Sequence, residues 1–307
     1  MTRDILKLAL ISTVYNEGES IDRWIDALRE QTVQPDEFVI VDGGSTDKTV
    51  LRLKQGFEKE GFTQPRIIVQ RCNIAQGRNM AIKNTTHDII VSLDAGSIPE
   101  PQWLQEIAIP FREHAEVGMV GGRCRTVLVN EFQKKLERFT DSKDPDFGTN
   151  CRFSSRNVAF TRKAWAAVGG YPEWLTLTAE DALYNANLHF AGIQSCYQPT
   201  AVVDWEMRPD LRSYLKMLWS YGYGSAEMGQ APHLYWRWLM TTLFPLLILF
   251  SHHPISYAPL RYLRNAANAC GWIEGKLRGR KPPKDWKRID GVWMSPEALA
   301  VVKGKQS

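Results

Sequence analysis

The chain has 307 residues, 44% hydrophobic and 23% charged, which excludes a disordered or collagen-like polymer and is enough for one large α/β domain with an appendage. Five cysteines scattered without a C-x-x-C pair and six histidines without H-E-x-x-H exclude a disulfide framework and the common zinc patterns, and fit a reducing compartment. The net charge of +4 is unevenly placed: nine basic residues crowd between Arg261 and Arg288, opposed only by Glu274 and Asp285.

The run KLALISTV passes straight into Asn16 and Glu17 and predicts a first β-strand rather than a signal peptide. Ser20 opens an amphipathic helix with Ile21, Trp24, Ile25 and Leu28 on one face. EFVIVD predicts a second strand ending in Asp42, followed by GGSTDKT and a helix. RIIVQ predicts a third strand before the helix AQGRNMAIKN, and DIIVSLD a fourth before a proline-started helix containing Trp103, a packing anchor. VGMVGG predicts a fifth. The segment 123–170 is less regular, with a strand leading into a helix over 156–168. A helix over 179–190 carries Glu180 and Asp181 at its start. YQPTAVVDW is strand-like, and Leu211, Tyr214, Leu215, Leu218 and Trp219 follow helical spacing. Such alternation predicts a mostly parallel sheet flanked by helices, binding ligands at the carboxyl ends of its strands.

Two familiar nucleotide signatures fail there. The turn after the first strand reads YNEGES, not G-x-G-x-x-G, and GGSTDKT lacks P-loop spacing. What remains suits a nucleoside diphosphate. Asp42 can accept a hydrogen bond from a base or ribose, Asp94 can hold a divalent cation, Arg78 can position acids or phosphates, and Asp181 can deprotonate a hydroxyl. Each has a plainer alternative. Asp42 before Gly-Gly-Ser suits a turn-former, the Glu180–Asp181 pair suits first-turn helix acids, and Arg78 suits a solvated helix face.

The succession TVYNEGESIDRWIDAL, VDGGSTDKT, NIAQGRNMAI, SLDAGSIPEPQWL, RNVAFTRKAW-AAVGGYPE and AEDALYNANLHFAG resembles the family 2 glycosyltransferases over roughly residues 5 to 225. The resemblance implies a GT-A, Rossmann-like α/β fold and inverting transfer of a hexose from a nucleotide sugar. It places Thr13 and Tyr15 around the uracil ring, Glu17 near the ribose, Asp42 on the base, and Arg78 near uracil and diphosphate. Asp94 matches the first acid of the D-x-D element that binds Mg²⁺ or Mn²⁺, and Asp181, paired with Glu180, matches the general base. The element reads Asp94-Ala95-Gly96, so its second acid is missing, which weakens the metal site or makes it dispensable. Trp205 stands where some GT-A enzymes carry a metal-closing histidine. Tyr171, Trp174 and Arg208 are candidate acceptor contacts, with core packing an equal alternative for the two aromatics and a structural role the main one for Arg208. A nucleotidyltransferase on the same fold lacks its Gly- and Lys-rich signature, and a degenerate scaffold protein is the rival that Gly96 raises.

The run LMTTLFPLLILF over 239–250, with Trp236 and Trp238 before it, is interrupted by Arg237 and Pro245 and falls short of the ~20 apolar residues of a spanning helix. With the basic stretch behind it, it predicts an interfacial segment on an anionic membrane surface, at the cytoplasmic face, and no nucleic-acid partner. The expected organisation is a glycosyltransferase domain over 1–230, with halves at 1–122 (nucleotide) and 123–230 (acceptor), then a membrane-associating extension over 231–307. The acceptor is expected to be a lipid-linked or growing glycan.

Overall fold

The computed structural model describes residues 6–18, 20–58, 62–140, 153–230, 232–250 and 254–304. Cys151, His252 and His253 lie outside them. In chain order the first half is β1 (Leu8–Val14), α1 (Ile21–Arg29), β2 (Glu37–Asp42), α2 (Thr49–Phe57), β3 (Arg66–Val69), α3 (Ile74–Lys83), β4 (Ile89–Leu93), β5 (Ser97–Pro99), α4 (Trp103–Glu113) and β6 (Val117–Val127). There follow α5 (Glu131–Thr140), β7 (Asn157–Thr161), α6 (Arg162–Ala167), α7 (Glu180–Phe190), β8 (Gln194–Glu206) and α8 (Leu211–Met228). The chain continues with α9 (Pro232–Leu243), a 3₁₀ turn (Pro245–Phe250), α10 (Ala258–Arg278), the hairpin β9 (Lys287–Ile289) and β10 (Val292–Met294), and α11 (Pro296–Gly304).

Eight strands form one sheet in the order β3-β2-β1-β4-β7-β6-β8-β5. The β3-β2-β1-β4 half is parallel, as expected, and β6 pairs parallel with β8. β7 inserts antiparallel between β4 and β6, and β5 caps β8 antiparallel, so the sheet is mixed in its second half. β1, β2 and β4 are apolar on both faces because both are covered. Leu10, Phe38, Ile40, Val91 and Leu93 point to a core shared with Trp24, Leu53 and Trp103. Their alternates Ile11, Val39, Val41 and Ile90 point to a second core with Ile82, Tyr184 and Leu188. Trp103 is the anchor expected: it is fully buried and its Nε1 donates to Asn157 Oδ1 at 2.7 Å.

β6 crosses the expected border between the halves at 122–123, where its pairing with β8 shifts register. The last stretch, β10 and α11, is not an outlying tail: Met294, Ala298 and Leu299 are buried in the second core. Ser295 Oγ also donates to the Val168 carbonyl at 2.7 Å. α8 and α10 pack very closely, because a Cβ at Gly222 would lie 2.2 Å from the Asn268 carbonyl and one at Gly271 2.0 Å from that of Trp219.

The basic stretch is also split. Arg261 is buried and donates to the Ile248 carbonyl, and Arg264 lies over the Phe139 ring, its pKa lowered by burial. Lys276, Arg278, Arg280 and Lys281 are exposed at the far end of α10, about 30 Å from its start at 1.5 Å per residue. Among the described residues no helix is long and apolar enough to cross a membrane.

Candidate active site

The carboxyl edge of the sheet opens into a cleft of about 930 Å³ walled by the ends of β1, β2, β4 and β8, the start of α7 and the loop before it. It brings together Thr13, Tyr15, Glu17, Arg78, Asp94, Glu180, Asp181 and Arg208, from positions as far apart as β1 and the residues after β8.

The first two turns are stitched to each other. Asn16 adopts a left-handed backbone (φ 54°), which asparagine tolerates, and its Oδ1 accepts from Thr46 N at 2.9 Å. Asp47 accepts from the backbone of Gly18 and Thr49, and Thr49 Oγ1 accepts from Glu17 N. Asp47 and the Ser45 and Thr49 hydroxyls of GGSTDKT thus hold Tyr15 and Glu17 at the cleft. Tyr15 is 60% exposed, and Glu17 accepts from Ser20 Oγ at 2.7 Å.

Asp42 is fully buried behind the wall formed by Val41 and Gly43. Its Oδ1 accepts from the N–H groups of Gly44 and Ser45, the turn-forming role. Its Oδ2 is buried with no partner among the described residues, an acceptor unspent beside the cleft. Burial and the Asp42 charge push the pKa of the neighbouring Cys72 thiol up.

Arg78 is not a solvated helix residue. It is 2% exposed on α3 and donates to Asp94 Oδ1 at 2.8 Å and Glu180 Oε1 at 2.5 Å, with its guanidinium 5.4 Å from the centre of the Tyr171 ring. Burial opposes its charge, but Asp94 and Glu180 outweigh burial and hold its pKa above the ordinary arginine value. Burial, reinforced by Asp181, pushes Glu180 up to about 7 against the pull of Arg78. The two acids of the pair therefore differ in position. Glu180 is buried as the partner of Arg78. Asp181 lines the cleft, with Oδ1 accepting from Ala182 N at 2.8 Å at the α7 N-terminus, which favours an anion. The residue before them, Ala179, sits at φ 77°, a conformation costly for a residue with a Cβ.

Tyr171 and Trp174 are placed in the core rather than on the cleft wall. Tyr171 stacks on Tyr184 at 4.1 Å, and Trp174 packs edge-on against Trp286 at 5.8 Å. Neither presents a face to an acceptor in the cleft. Arg208 lies exposed on the rim.

Sequence reasoning missed Asn79. Beside Arg78 but turned away, it accepts from Tyr171 N and Trp165 Nε1 and donates to the Tyr171 carbonyl and Glu173 Oε1. This spends three of its four hydrogen bonds on the loop that leads to Asp181 and the fourth on Trp165 of α6. Asn73, which caps α3 in a capping box with Gln76, reaches the same loop through the carbonyls of Glu173 and Leu175. The N-x-x-Q spacing was the legible signal for that cap.

The donor set does not fit a divalent ion held by the protein. No three His, Cys, Asp or Glu side chains among the described residues group around a common point. One oxygen of Asp94 is already taken by Arg78, and Gly96 and Trp205 offer no ligand. At Asp94, where the expected Mg²⁺ or Mn²⁺ site is weak or dispensable, one carboxylate oxygen remains free of Arg78.

The model of the family described as Glycosyl transferase family 2 matches residues 9–170. Among curated relatives, the O-antigen chain rhamnosyltransferase RfbN of Salmonella typhimurium is 25% identical over 210 residues, covering 64% of this chain and 66% of its own. The poly-beta-1,6-N-acetyl-D-glucosamine synthase of Staphylococcus aureus is 24% identical over 274 residues, covering 83% of this chain and 64% of its own. The chain thus spans just under two thirds of the length of each of these relatives. The fold is shared with the mannosyltransferase PcManGT from Pyrobaculum calidifontis in complex with GDP-Man and Mn²⁺, at a TM-score of 0.55, 19% identity and coverage of 98% of this chain and 79% of that one. It is shared also with residues 1–349 of S. aureus TarS in complex with UDP, at a TM-score of 0.52, 14% identity and coverage of 94% and 96%. With a family match that spans more than half of its residues, on the mixed α/β fold these structures share, the chain belongs to glycosyl transferase family 2.

Proposed function

We propose that the chain transfers a hexose from a nucleoside-diphosphate sugar, UDP-linked in the first instance, to a lipid-linked or growing glycan of a cell-envelope or exopolysaccharide pathway, inverting the anomeric carbon. The observation that carries this reading is the triad Asp94–Arg78–Glu180, which fixes the floor of the cleft while leaving Asp181 on its wall. Asp181 takes the proton of the acceptor hydroxyl as that oxygen bonds to the anomeric carbon and the diphosphate leaves. Thr13, Tyr15 and Glu17 are the donor's base and ribose contacts, with the unspent oxygen of Asp42 behind them. The names of the relatives, which concern O-antigen and poly-N-acetylglucosamine, support a polysaccharide acceptor. The Mn²⁺ beside GDP-Man in a structural neighbour supports a metal in that protein, whereas the donor set here supports at most one held mainly by the diphosphate and water.

The reading extends to a membrane surface at the cytoplasmic face. Trp236, Phe244, Leu246 and Ile255 are 53%, 60%, 74% and 74% exposed on and after α9, next to exposed Arg237. Large apolar side chains exposed in sequence neighbourhood with an indole and a cation suit the lipid headgroup boundary. Incubation of the full chain with UDP-, GDP- and dTDP-hexoses and an oligosaccharide acceptor tests the donor reading. Turnover of one nucleotide class supports it, and turnover of none with any acceptor, alongside absent nucleotide binding, removes it.

A further inference from the structure

We propose that Arg156, stacked on Trp205, is the cation that receives the donor's diphosphate in this cleft, in the place of a divalent ion held by the protein. The proposal rests on the reading of the cleft as a nucleoside-diphosphate-sugar site.

Sheet register sets the two residues beside the incomplete acidic element. In the β4–β7 ladder Leu93 pairs with Asn157, so Arg156 enters its strand alongside Asp94. In the β5–β8 ladder Ser97, the residue after Gly96, pairs with Trp205. Both residues line the cleft, and the Arg156 guanidinium lies 4.3 Å from the Trp205 ring centre.

This arrangement holds a guanidinium in place without neutralising it. The face of an indole attracts a cation through its quadrupole and leaves the N–H donors unused. Among the described residues Arg156 has no ion pair, whereas Arg78 is committed to Asp94 and Glu180, and Arg23 reaches Glu206 at 4.0 Å. Arg156 is thus an uncommitted charge at the point where the acidic element is short of one carboxylate.

Gly96 completes the argument. A Cβ built on it meets no atom within 4 Å, so open space stands beside Asp94. A second carboxylate there would repel a phosphate unless a metal lay between them, and its absence leaves room for the phosphate itself. As the bond from the anomeric carbon to the diphosphate oxygen breaks, that oxygen keeps the electron pair. A guanidinium fork offers it two N–H donors in a plane. The acceptor oxygen forms the new bond and its proton goes to Asp181.

The test is calorimetric titration of the full chain with UDP, GDP and dTDP and with the corresponding nucleosides, in EDTA and then with Mn²⁺. Wild type, Arg156→Ala, Arg156→Lys and Trp205→Leu are compared. In EDTA, wild type is expected to bind one nucleoside diphosphate, and R156A to bind it at least 10-fold more weakly. R156K should fall between, because an ammonium cannot form the fork, and W205L should lose several-fold. Binding of the matching nucleoside should be unchanged in all of them, which also certifies their fold. R156A binding the diphosphate like wild type overturns the proposal while leaving the donor site standing. So does wild-type binding that vanishes in EDTA and returns with Mn²⁺. Failure of wild type to bind any nucleotide in either condition removes the donor reading and this proposal with it.

Discussion

Arg78 and Glu180, 102 residues apart in the chain, meet at 2.5 Å inside the protein, with side chains 2% and 7% exposed. The contact joins α3 to the first residue of α7, the helix that carries Asp181 into the cleft. The geometry of the site therefore depends on a buried ion pair, and such pairs are costly to half-remove.

Arg78→Met should destabilise the fold by about 3–5 kcal/mol, because it leaves the buried Glu180 carboxylate uncompensated. The double variant Arg78→Met/Glu180→Leu should recover a large part of that loss, since two apolar groups need no partner. Urea denaturation of the three proteins checks this, and a double variant no more stable than R78M would show that the pair is not the cause.

The same burial sets a pH dependence. Glu180's carboxyl is raised from its ordinary 4.5 to about 7, so between those values the unfolded chain has released a proton that the folded chain retains. Its contribution to stability is full below 4.5 and is lost as pH rises through about 7. The stability gap between wild type and Glu180→Gln should accordingly shrink from pH 5 to pH 8 in denaturation curves. A gap that widens over that range contradicts the assignment.

Gly96→Asp should leave stability within about 0.5 kcal/mol of wild type, as expected at an open surface position. Its backbone lies outside the left-handed region and the site of the new side chain is empty. It should also confer on the cleft a measurable affinity for Mn²⁺ without nucleotide, read by titration calorimetry. An unfolded or metal-blind variant would show that the space beside Asp94 is not what the geometry indicates.

The apolar flank carries a further expectation. Phe244→Ser, Leu246→Ser and Ile255→Ser, combined, should abolish flotation with anionic vesicles and leave Tm unchanged, because all three side chains are exposed. Charge reversal at Lys276 and Arg278 should matter less, as they sit at the other end of α10. If the apolar triple variant floats like wild type, the flank faces something other than lipid.

β1, β2 and β4 were legible because they are buried on both faces, which continuous apolar runs such as FVIV and IIVSL signal. The antiparallel insertion of β7 was not, since strand order leaves no trace in periodicity. Arg78 was readable as a candidate but not as a buried one, because nothing in AQGRNMAIK marks its partner 102 residues on. For Tyr171 and Trp174 the sequence leaves acceptor stacking and core packing equal, because an aromatic next to an acidic pair looks the same whether it stacks on a sugar or on Tyr184. The C-terminal basic run looked like one patch, yet it mixes Arg261, enclosed by neighbouring helices, with exposed residues on the far side of α10. Arg156 opens the motif RNVAFTRKAW but carried no assigned role, and only the register of the β4–β7 ladder brings it to Asp94.

The most direct test of the central claim is the anomeric configuration of the product, read by NMR after turnover of the preferred nucleotide sugar, in wild type and Asp181→Asn. The account predicts inversion in wild type, and in D181N a loss of about 10²–10⁴-fold in kcat with nucleotide binding intact, as for removal of a general base. Retention of configuration, or full activity without the Asp181 carboxylate, would contradict it.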